Sequence, residues 1–274
     1  LKGDSQFKPA GSDPLQARGQ YLVEGAGHCA ACHSPRTAFM TQDGTRTGEG
    51  NYLKGGVLDG WTAPALHGPS SPIRTWRTAE LAAYLGTGRN AHSAANGEMG
   101  MAVAHSLAYL NDMDLGAIAA YLKGLDGEAV GDIPGQVAPV GPHATPAAKA
   151  DEAGAATAKM LTAANADMPL GPRLYLDNCP ACHFVTGKGA AEIFPELQGN
   201  ALVTAADATP LIGIILHGAS LPSTERRPMR LVMQGYADRL NDDEVAALAS
   251  FVRAGWGNQA KPVTASQVSK VRAA

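Results

Sequence analysis

The four cysteines of this 274-residue chain all lie in two pentads of the form Cys-x-x-Cys-His. The pentads occupy residues 29–33 and 179–183. This pattern is the attachment signature of a c-type haem, in which two thiols bind the haem vinyl groups and the histidine binds the iron. We therefore predict two covalently attached haem c groups. The predicted anchors are Cys29, Cys32, Cys179 and Cys182, and the predicted iron ligands are His33 and His183.

Other uses of paired cysteines explain the pattern less well. The two halves of a zinc ribbon are usually separated by about 15–20 residues, far fewer than separate Cys29 from Cys179. A thioredoxin-like dithiol needs a βαβ context, and a disulfide across so short a loop adds little stability. Neither thiol alternative accounts for the histidine that completes each pentad.

The composition is that of a helical, loop-rich chain without a membrane span. It has a formal charge of −3, only five phenylalanines and no apolar run near the length of about 18 residues that a membrane helix needs. No basic stripe indicates nucleic-acid binding. Haem c is attached outside the bacterial cytoplasm, so we expect the periplasm or the periplasmic face of the inner membrane. Since Leu1 does not open a signal peptide, we expect any such peptide to be removed or to lie upstream.

The two halves of the chain repeat the same order of parts. After each pentad come a Pro-x-Leu-x-Gly segment, a helical stretch, a methionine and a closing amphipathic helix with an Asn cap signal at Asn111 or Asn241. We predict that a carbonyl near Pro64 or Pro195 accepts the Nδ1 proton of the pentad histidine. Leu66 and Leu197 would then pack on the haem faces.

The repeat suggests the domain boundaries. We expect an N-terminal arm over residues 1–14, a first domain over 15–127, a linker over 128–168 and a second domain over 169–274. Four prolines between residues 131 and 146 favour an extended strap. The Ala-rich residues 147–166 could form a helix that packs across both domains.

The sixth iron ligand decides whether such a protein carries electrons or binds a substrate. A methionine sulfur favours ferrous iron, raises the potential and closes the iron to other ligands. Met233 and Met229 are the candidates in the second domain, and Met233 is preferred because it directly precedes the closing region. Met99 and Met101 compete in the first domain. Histidine ligands are less favoured alternatives, from His92, His105 or His217.

Several segments resemble the triheme cytochrome c subunits of bacterial membrane dehydrogenases. Residues 18–36 are similar to the opening of the second haem domain of that family. Residues 84–90 and 97–99 resemble its ligand loop, which favours Met99 over Met101. Residues 233–236 and 256–258 resemble the third domain. The resemblance implies an all-α fold with two tandem class I-like cytochrome c domains joined by a Pro/Gly/Ala-rich linker.

The resemblance also implies a function. We expect a dihaem cytochrome that relays single electrons from a dehydrogenase acting on an alcohol, aldehyde or sugar acid, or of the molybdenum hydroxylase type. The acceptor would be quinone, another cytochrome or a terminal oxidase. No residue is assigned a catalytic role. The alternative is a dihaem enzyme such as a peroxidase, which needs one open haem site.

Three departures from the family pattern stand out. The first haem domain is absent, so the chain is expected to be part of a triheme subunit. The connector from residue 126 to 169 is longer than in the family, and no membrane-anchoring tail is evident after Ala260. Membrane association is therefore expected only through a partner or through segments that are missing here.

Overall fold

The computed structural model describes residues 7–9, 11–58, 60–127 and 151–274. The described parts of Leu1–Gly86 and His105–Pro139 form one compact unit, and those of Thr87–Ala104 and Val140–Ala274 form another. The predicted strap over residues 131–146 lies outside the described residues. The segment Thr87–Ala104, which contains Met99, is thus grouped with the second unit, although the sequence predicts a first domain over residues 15–127.

The first half of the chain contains five α-helices, two strands and two short 3-10 helices within its described residues. In chain order they are α1 Pro14–Glu24, α2 Ala30–His33, β1 Gly56–Leu58, β2 Trp61–Ala63, the 3-10 helix Pro72–Thr75, α3 Thr78–Thr87, α4 Gly97–His105, the 3-10 helix Leu107–Tyr109 and α5 Asp112–Gly124. β1 and β2 pair antiparallel.

The first unit is built on the packing of α1 against α5. Asp13 caps α1 by accepting a hydrogen bond from the Leu15 N–H, and Pro14 occupies the first helical position, where its missing N–H costs nothing. A side chain at Gly19 would overlap the carbonyl of Ala117, so a glycine is needed where the two helices cross. Asn111 caps α5 as predicted, by accepting from the Asp114 N–H.

The second half of the chain is also mainly helical, but its strand pair comes later in the order of elements, and it has an additional helix at each end. Its elements are α6 Glu152–Ala163, α7 Leu170–Asn178, α8 Pro180–His183, α9 Ala201–Thr204, α10 Thr209–His217, β3 Ala219–Ser220, β4 Val232–Met233, α11 Asp242–Ala254, the 3-10 helix Gly255–Gly257 and α12 Ala265–Arg272. β3 and β4 pair antiparallel.

An aromatic cluster forms part of the core of the second unit. The rings of Tyr175, Phe251 and Trp256 lie with their centroids 5.0–5.5 Å apart, the distance range of edge and tilted aromatic packing. Trp256 is fully buried and its Nε1 donates to the Val185 carbonyl oxygen at 2.9 Å. This indole therefore ties the end of α11 to the chain that follows the second pentad.

Helix α6 belongs to the second unit rather than to a free linker. Its Leu161 is buried in the core of that unit. The Thr157 hydroxyl accepts a hydrogen bond from the backbone N–H of Trp256 at 3.0 Å. The sequence predicts a linker over residues 128–168, with a helix that could span both domains. The structure instead gives α6 a defined place on the 3-10 helix Gly255–Gly257.

The fold is mainly helical, as predicted, but it is not purely helical. The two short strand pairs were not expected, because two or three residues are too few to show an alternating pattern. The first pair lies against the first pentad, where the Gly55 N–H donates to the His33 carbonyl oxygen at 2.7 Å. Among the described residues, no helix has the length and apolar character needed to cross a membrane.

Candidate functional site

Each pentad folds as a single helical turn. In both pentads the first cysteine stands at the N-cap position and the histidine is the last helical residue. Two thiols separated by two residues are thereby brought to the same turn, directly before the imidazole. No disulfide joins any of the four cysteines, all of which lie in the described part of the chain. The thiols remain available for thioether bonds.

The hydrogen bond predicted for each pentad histidine is present. The Nδ1 atom of His33 lies 2.8 Å from the Pro64 carbonyl oxygen, and that of His183 lies 3.0 Å from the Pro195 carbonyl oxygen. A carbonyl can only accept, so Nδ1 carries the proton and Nε2 keeps its lone pair. No described residue forms a hydrogen bond to either Nε2. Each ring is thus oriented as an iron ligand needs.

Burial keeps both imidazoles neutral. It is the main cause that lowers the pKa of His33 and of His183, and the hydrogen bond to the proline carbonyl opposes it only in part. A neutral imidazole is the form that binds a metal. The protonation state of the two rings therefore agrees with the orientation that their Nδ1 hydrogen bonds impose.

Burial also acts on the first thiol of each pentad. It raises the pKa of Cys29 to about 11 and that of Cys179 to about 12. Both groups are therefore protonated thiols at neutral pH, which disfavours nucleophilic attack by a free thiolate. Among the described residues, no group of three or more His, Cys, Asp or Glu side chains is placed to hold a zinc ion. The donor set fits covalent haem attachment better than either of those uses.

A polar side chain that follows each closing helix holds the proline segment in place. Asp126 Oδ1 accepts from the Gly68 N–H at 2.7 Å, and Asn258 Oδ1 accepts from the Gly199 N–H at 2.8 Å. Asn258 Nδ2 also donates to the Leu197 carbonyl oxygen at 3.0 Å. We did not predict this role, and the only sequence signal was a carboxylate or carboxamide just beyond each helix.

The two predicted haem-contacting leucines occupy matching places. Both side chains are half-buried. The Leu66 N–H donates to the Leu53 carbonyl oxygen at 2.9 Å, and the Leu197 N–H donates to the Gly187 carbonyl oxygen at 2.7 Å. The segments that carry Pro64 and Pro195 are therefore fixed by backbone hydrogen bonds as well as by Asp126 or Asn258.

The methionine candidates of the second domain differ in exposure. Met229 is 68% exposed, whereas Met233 is half-buried and packs against the core of the second unit. Met233 lies on β4 opposite Ala219, so its backbone is held by a strand pair. The more buried side chain is the one that the sequence favours as a ligand.

The same contrast holds for the first pair of methionines. Met99 is half-buried in α4, whereas Met101 is 55% exposed. Of the alternative histidines, His105 and His217 are exposed. The Nδ1 atom of His92 lies 2.8 Å from Glu196 Oε1. The burial pattern again favours methionine.

Each pentad, with its histidine bonded to a proline carbonyl, is typical of a cytochrome c domain. Residues 16–126 and residues 169–256 each match the model of the cytochrome c family. The chain therefore belongs to the cytochrome c family, and it matches the family model twice.

Several relatives are named as cytochrome subunits of dehydrogenases. The chain is 38% identical over 271 residues to the cytochrome c subunit of the alcohol dehydrogenase (quinone) of Gluconacetobacter polyoxogenes, covering 97% of this chain and 54% of that relative. It is 38% identical over 275 residues to the gluconate 2-dehydrogenase cytochrome c subunit of Pantoea cypripedii, covering 97% of this chain and 58% of that relative. The predicted resemblance to dehydrogenase cytochrome subunits is thus confirmed.

A third relative extends the comparison to another dehydrogenase. The chain is 32% identical over 261 residues to the fructose dehydrogenase cytochrome subunit of Gluconobacter japonicus, covering 93% of this chain and 52% of that relative. The chain spans about half the length of each of these three relatives.

Proposed function

We propose that this chain is a two-haem electron relay of a dehydrogenase complex. It would accept single electrons from a dehydrogenase subunit and pass them to quinone, another cytochrome or a terminal oxidase. The observation that carries the proposal is the pentad histidine bonded through Nδ1 to a proline carbonyl, which occurs in both halves of the chain. Class I-like cytochrome c domains are the fold that we assign to these two halves.

The residues of each half have separate tasks in holding a haem c. Cys29 and Cys32, or Cys179 and Cys182, would anchor the macrocycle, while His33 or His183 would bind the iron through Nε2. The haem supplies an iron that alternates between the ferric and ferrous states. The Pro64 and Pro195 carbonyls fix the plane of each imidazole and make it a stronger donor. Leu66 and Leu197 would exclude water from the haem faces.

We assign the sixth ligands to Met99 and Met233. Each is more buried than the competing methionine close to it in the sequence, as a side chain bound to an internal iron must be. A neutral sulfur ligand stabilises ferrous iron and leaves no position for an added substrate. This ligand set therefore supports electron transfer and gives the chain itself no bond-breaking chemistry.

The names of the relatives, together with the family resemblance, suggest the electron donor. We propose a dehydrogenase catalytic subunit that oxidises an alcohol, an aldehyde or a sugar acid, or one of the molybdenum hydroxylase type. Because haem c is attached outside the bacterial cytoplasm, the complex would work in the periplasm or on the periplasmic face of the inner membrane. Any attachment to that membrane would come through the partner or through further segments.

Optical and electron paramagnetic resonance spectra of the haem-loaded protein test the ligand set. We expect two low-spin ferric haems and the weak methionine-to-iron band at the red end of the visible spectrum. Met99→Ala and Met233→Ala should each convert one haem to the high-spin state, because each removes one sulfur ligand. Met101→Ala and Met229→Ala are the matched controls and should leave both haems low-spin.

Two results would contradict the proposal. A high-spin ferric haem in the unaltered protein would show an open iron and favour a peroxidase-like enzyme. The other is loss of the sulfur band in Met101→Ala while Met99→Ala is unchanged, or in Met229→Ala while Met233→Ala is unchanged. Either outcome would assign the ligand to the more exposed methionine.

A further inference from the structure

Arg89 is a buried cation whose guanidinium is not fully paired by the described residues. The residue is 6% exposed and its Nε atom is buried without a partner. The Arg89 backbone forms two hydrogen bonds with the Thr87 hydroxyl. The Arg89 N–H donates to Thr87 Oγ1, and Thr87 Oγ1 donates to the Arg89 carbonyl oxygen. A guanidinium carries five N–H donors and is never neutral in a protein, so burying it unpaired is costly.

The other strongly buried arginine among the described residues is treated differently. Arg253 is 1% exposed, and its Nε, Nη1 and Nη2 atoms donate to the carbonyl oxygens of Lys261, Val203 and Ala205 at 2.7–2.9 Å. This fold therefore has the means to satisfy a buried guanidinium with its own backbone. At Arg89 the described residues leave Nε without a partner, which points to a partner from outside them.

The charges next to Arg89 do not neutralise it. Arg227 lowers the pKa of Arg89, in addition to the larger effect of burial, and Glu192 acts in the opposite direction. Glu192 is itself bonded to Arg227. These three side chains lie in the same compact unit and together carry one net positive charge. The missing partner is therefore an anion.

We infer that Arg89 binds a carboxylate supplied by haem c, namely one of its propionates. A guanidinium matches a carboxylate in shape and charge, and the pair can form two parallel hydrogen bonds. The inference rests on the proposed function, because the pentads are what would bring haem carboxylates to this chain. A free small-molecule carboxylate has the same chemistry, and the experiment separates the two sources.

The reduction potentials of the haem-loaded protein provide the test. Arg89→Gln removes the charge, and a negative carboxylate left without its cation favours ferric iron. We expect the reduction equilibrium constant of one haem to fall about tenfold, a drop of about 59 mV for one electron. Arg89→Lys keeps the charge but loses the fork, so its shift should be smaller and in the same direction. Arg173→Gln removes an exposed charge from α7 and should leave both potentials unchanged.

A pH series adds a readout that a purely structural role would not change. Without the cation the carboxylate has a higher pKa, so one potential should acquire a new pH dependence in Arg89→Gln. Glu192 and Arg227 are the charged groups that act on Arg89, and both remain in the variant. Arg173→Gln should retain the pH profile of the unaltered protein.

Three results would overturn the inference. One is an Arg89→Gln protein with unchanged potentials at every pH. If Arg89→Gln does not accumulate with haem, the test uses Arg89→Lys instead. Unchanged potentials in Arg89→Lys would then contradict the inference. The third is an unaltered protein whose potential follows the concentration of added acetate, which would assign Arg89 to a free carboxylate. Failure of the proposed function is recognised separately, by a high-spin haem in the unaltered protein.

Discussion

Asp151 shows what a single residue does for the second unit. It caps α6 by accepting a hydrogen bond from the Gly154 N–H at 2.9 Å, and it accepts from Gln198 Nε2 at 2.9 Å and from Lys188 Nζ at 3.2 Å. The pKa of Asp151 is lowered to about 2, mainly by the hydrogen bond from Gln198 and then by that from Gly154. The same carboxylate thus starts a helix and fastens it to the segment that carries Pro195.

Asp151→Asn tests the electrostatic part of that role, because asparagine is an equally good helix cap. A carboxyl group whose folded pKa lies below its unfolded value contributes stability above the unfolded pKa and loses it as the pH falls through the folded one. The unaltered protein should therefore exceed the variant in stability above pH about 4, and the difference should vanish towards pH about 2. Urea midpoints over this pH series measure it. A difference that does not change with pH would contradict the expectation.

The helix crossings are the corresponding feature at the scale of the elements. Gly19 lets α1 approach α5, and Gly171 lets α7 approach α11. A side chain at Gly171 would place its Cβ 2.5 Å from the Ala247 carbonyl oxygen and 2.9 Å from Phe251 Cβ. Each unit thus brings the helix that precedes its pentad and its closing helix together through a glycine, which places the pentad beside that crossing.

Gly171→Ala should destabilise the protein, because the added methyl group must displace the backbone of α11. We expect a loss of about 1–3 kcal/mol in the free energy of unfolding, as for other overpacked cores. Gly213→Ala is the matched control, since Gly213 lies inside α10 and a Cβ there would meet nothing within 4 Å. That variant should gain up to about 1 kcal/mol from helix propensity. Equal gains in both variants, measured by urea unfolding, would disprove the close crossing.

The elements that the sequence predicts are those with local signals. Asn111 and Asn241 mark the starts of the closing helices, and both side chains cap as expected, Asn241 as part of a capping box with Glu244. The packing of α6 depends on a distant partner, Trp256, so tertiary contacts decide it. The strand pairs join neighbouring segments, but strands of two or three residues are too short to show an alternating pattern.

The candidate site divides in the same way. The pentads and the proline segments could be predicted, because their spacing is repeated and the Nδ1 hydrogen bond is a general need of a ligating histidine. Asp126 and Asn258 could not be predicted to hold the proline segments, because the glycine N–H groups that they bond there lie 58 or more residues away. Arg89 could not be predicted, because the partner that we infer for it lies outside the described residues. A single polar residue in a loop gives no periodic signal.

For the whole molecule, the two units repeat one hydrogen-bond plan with different residues. Each has a pentad histidine bonded to a proline carbonyl, and a proline segment held from the end of the closing helix by Asp126 or Asn258. Each unit thus contains within itself the contacts that orient its histidine. The two haem attachments that we propose should therefore be independent of each other.

The number of haems per chain tests this independence. Intact-mass measurement should find two haem c groups on the unaltered protein, and a redox titration should take up two electrons per chain. The double variant Cys29→Ala, Cys32→Ala should retain one haem, and so should Cys179→Ala, Cys182→Ala, because the pentad that remains keeps its own proline carbonyl and its own Asp126 or Asn258. Loss of both haems in either double variant would show that one attachment depends on the other. A single haem on the unaltered protein would contradict the proposed two-haem relay.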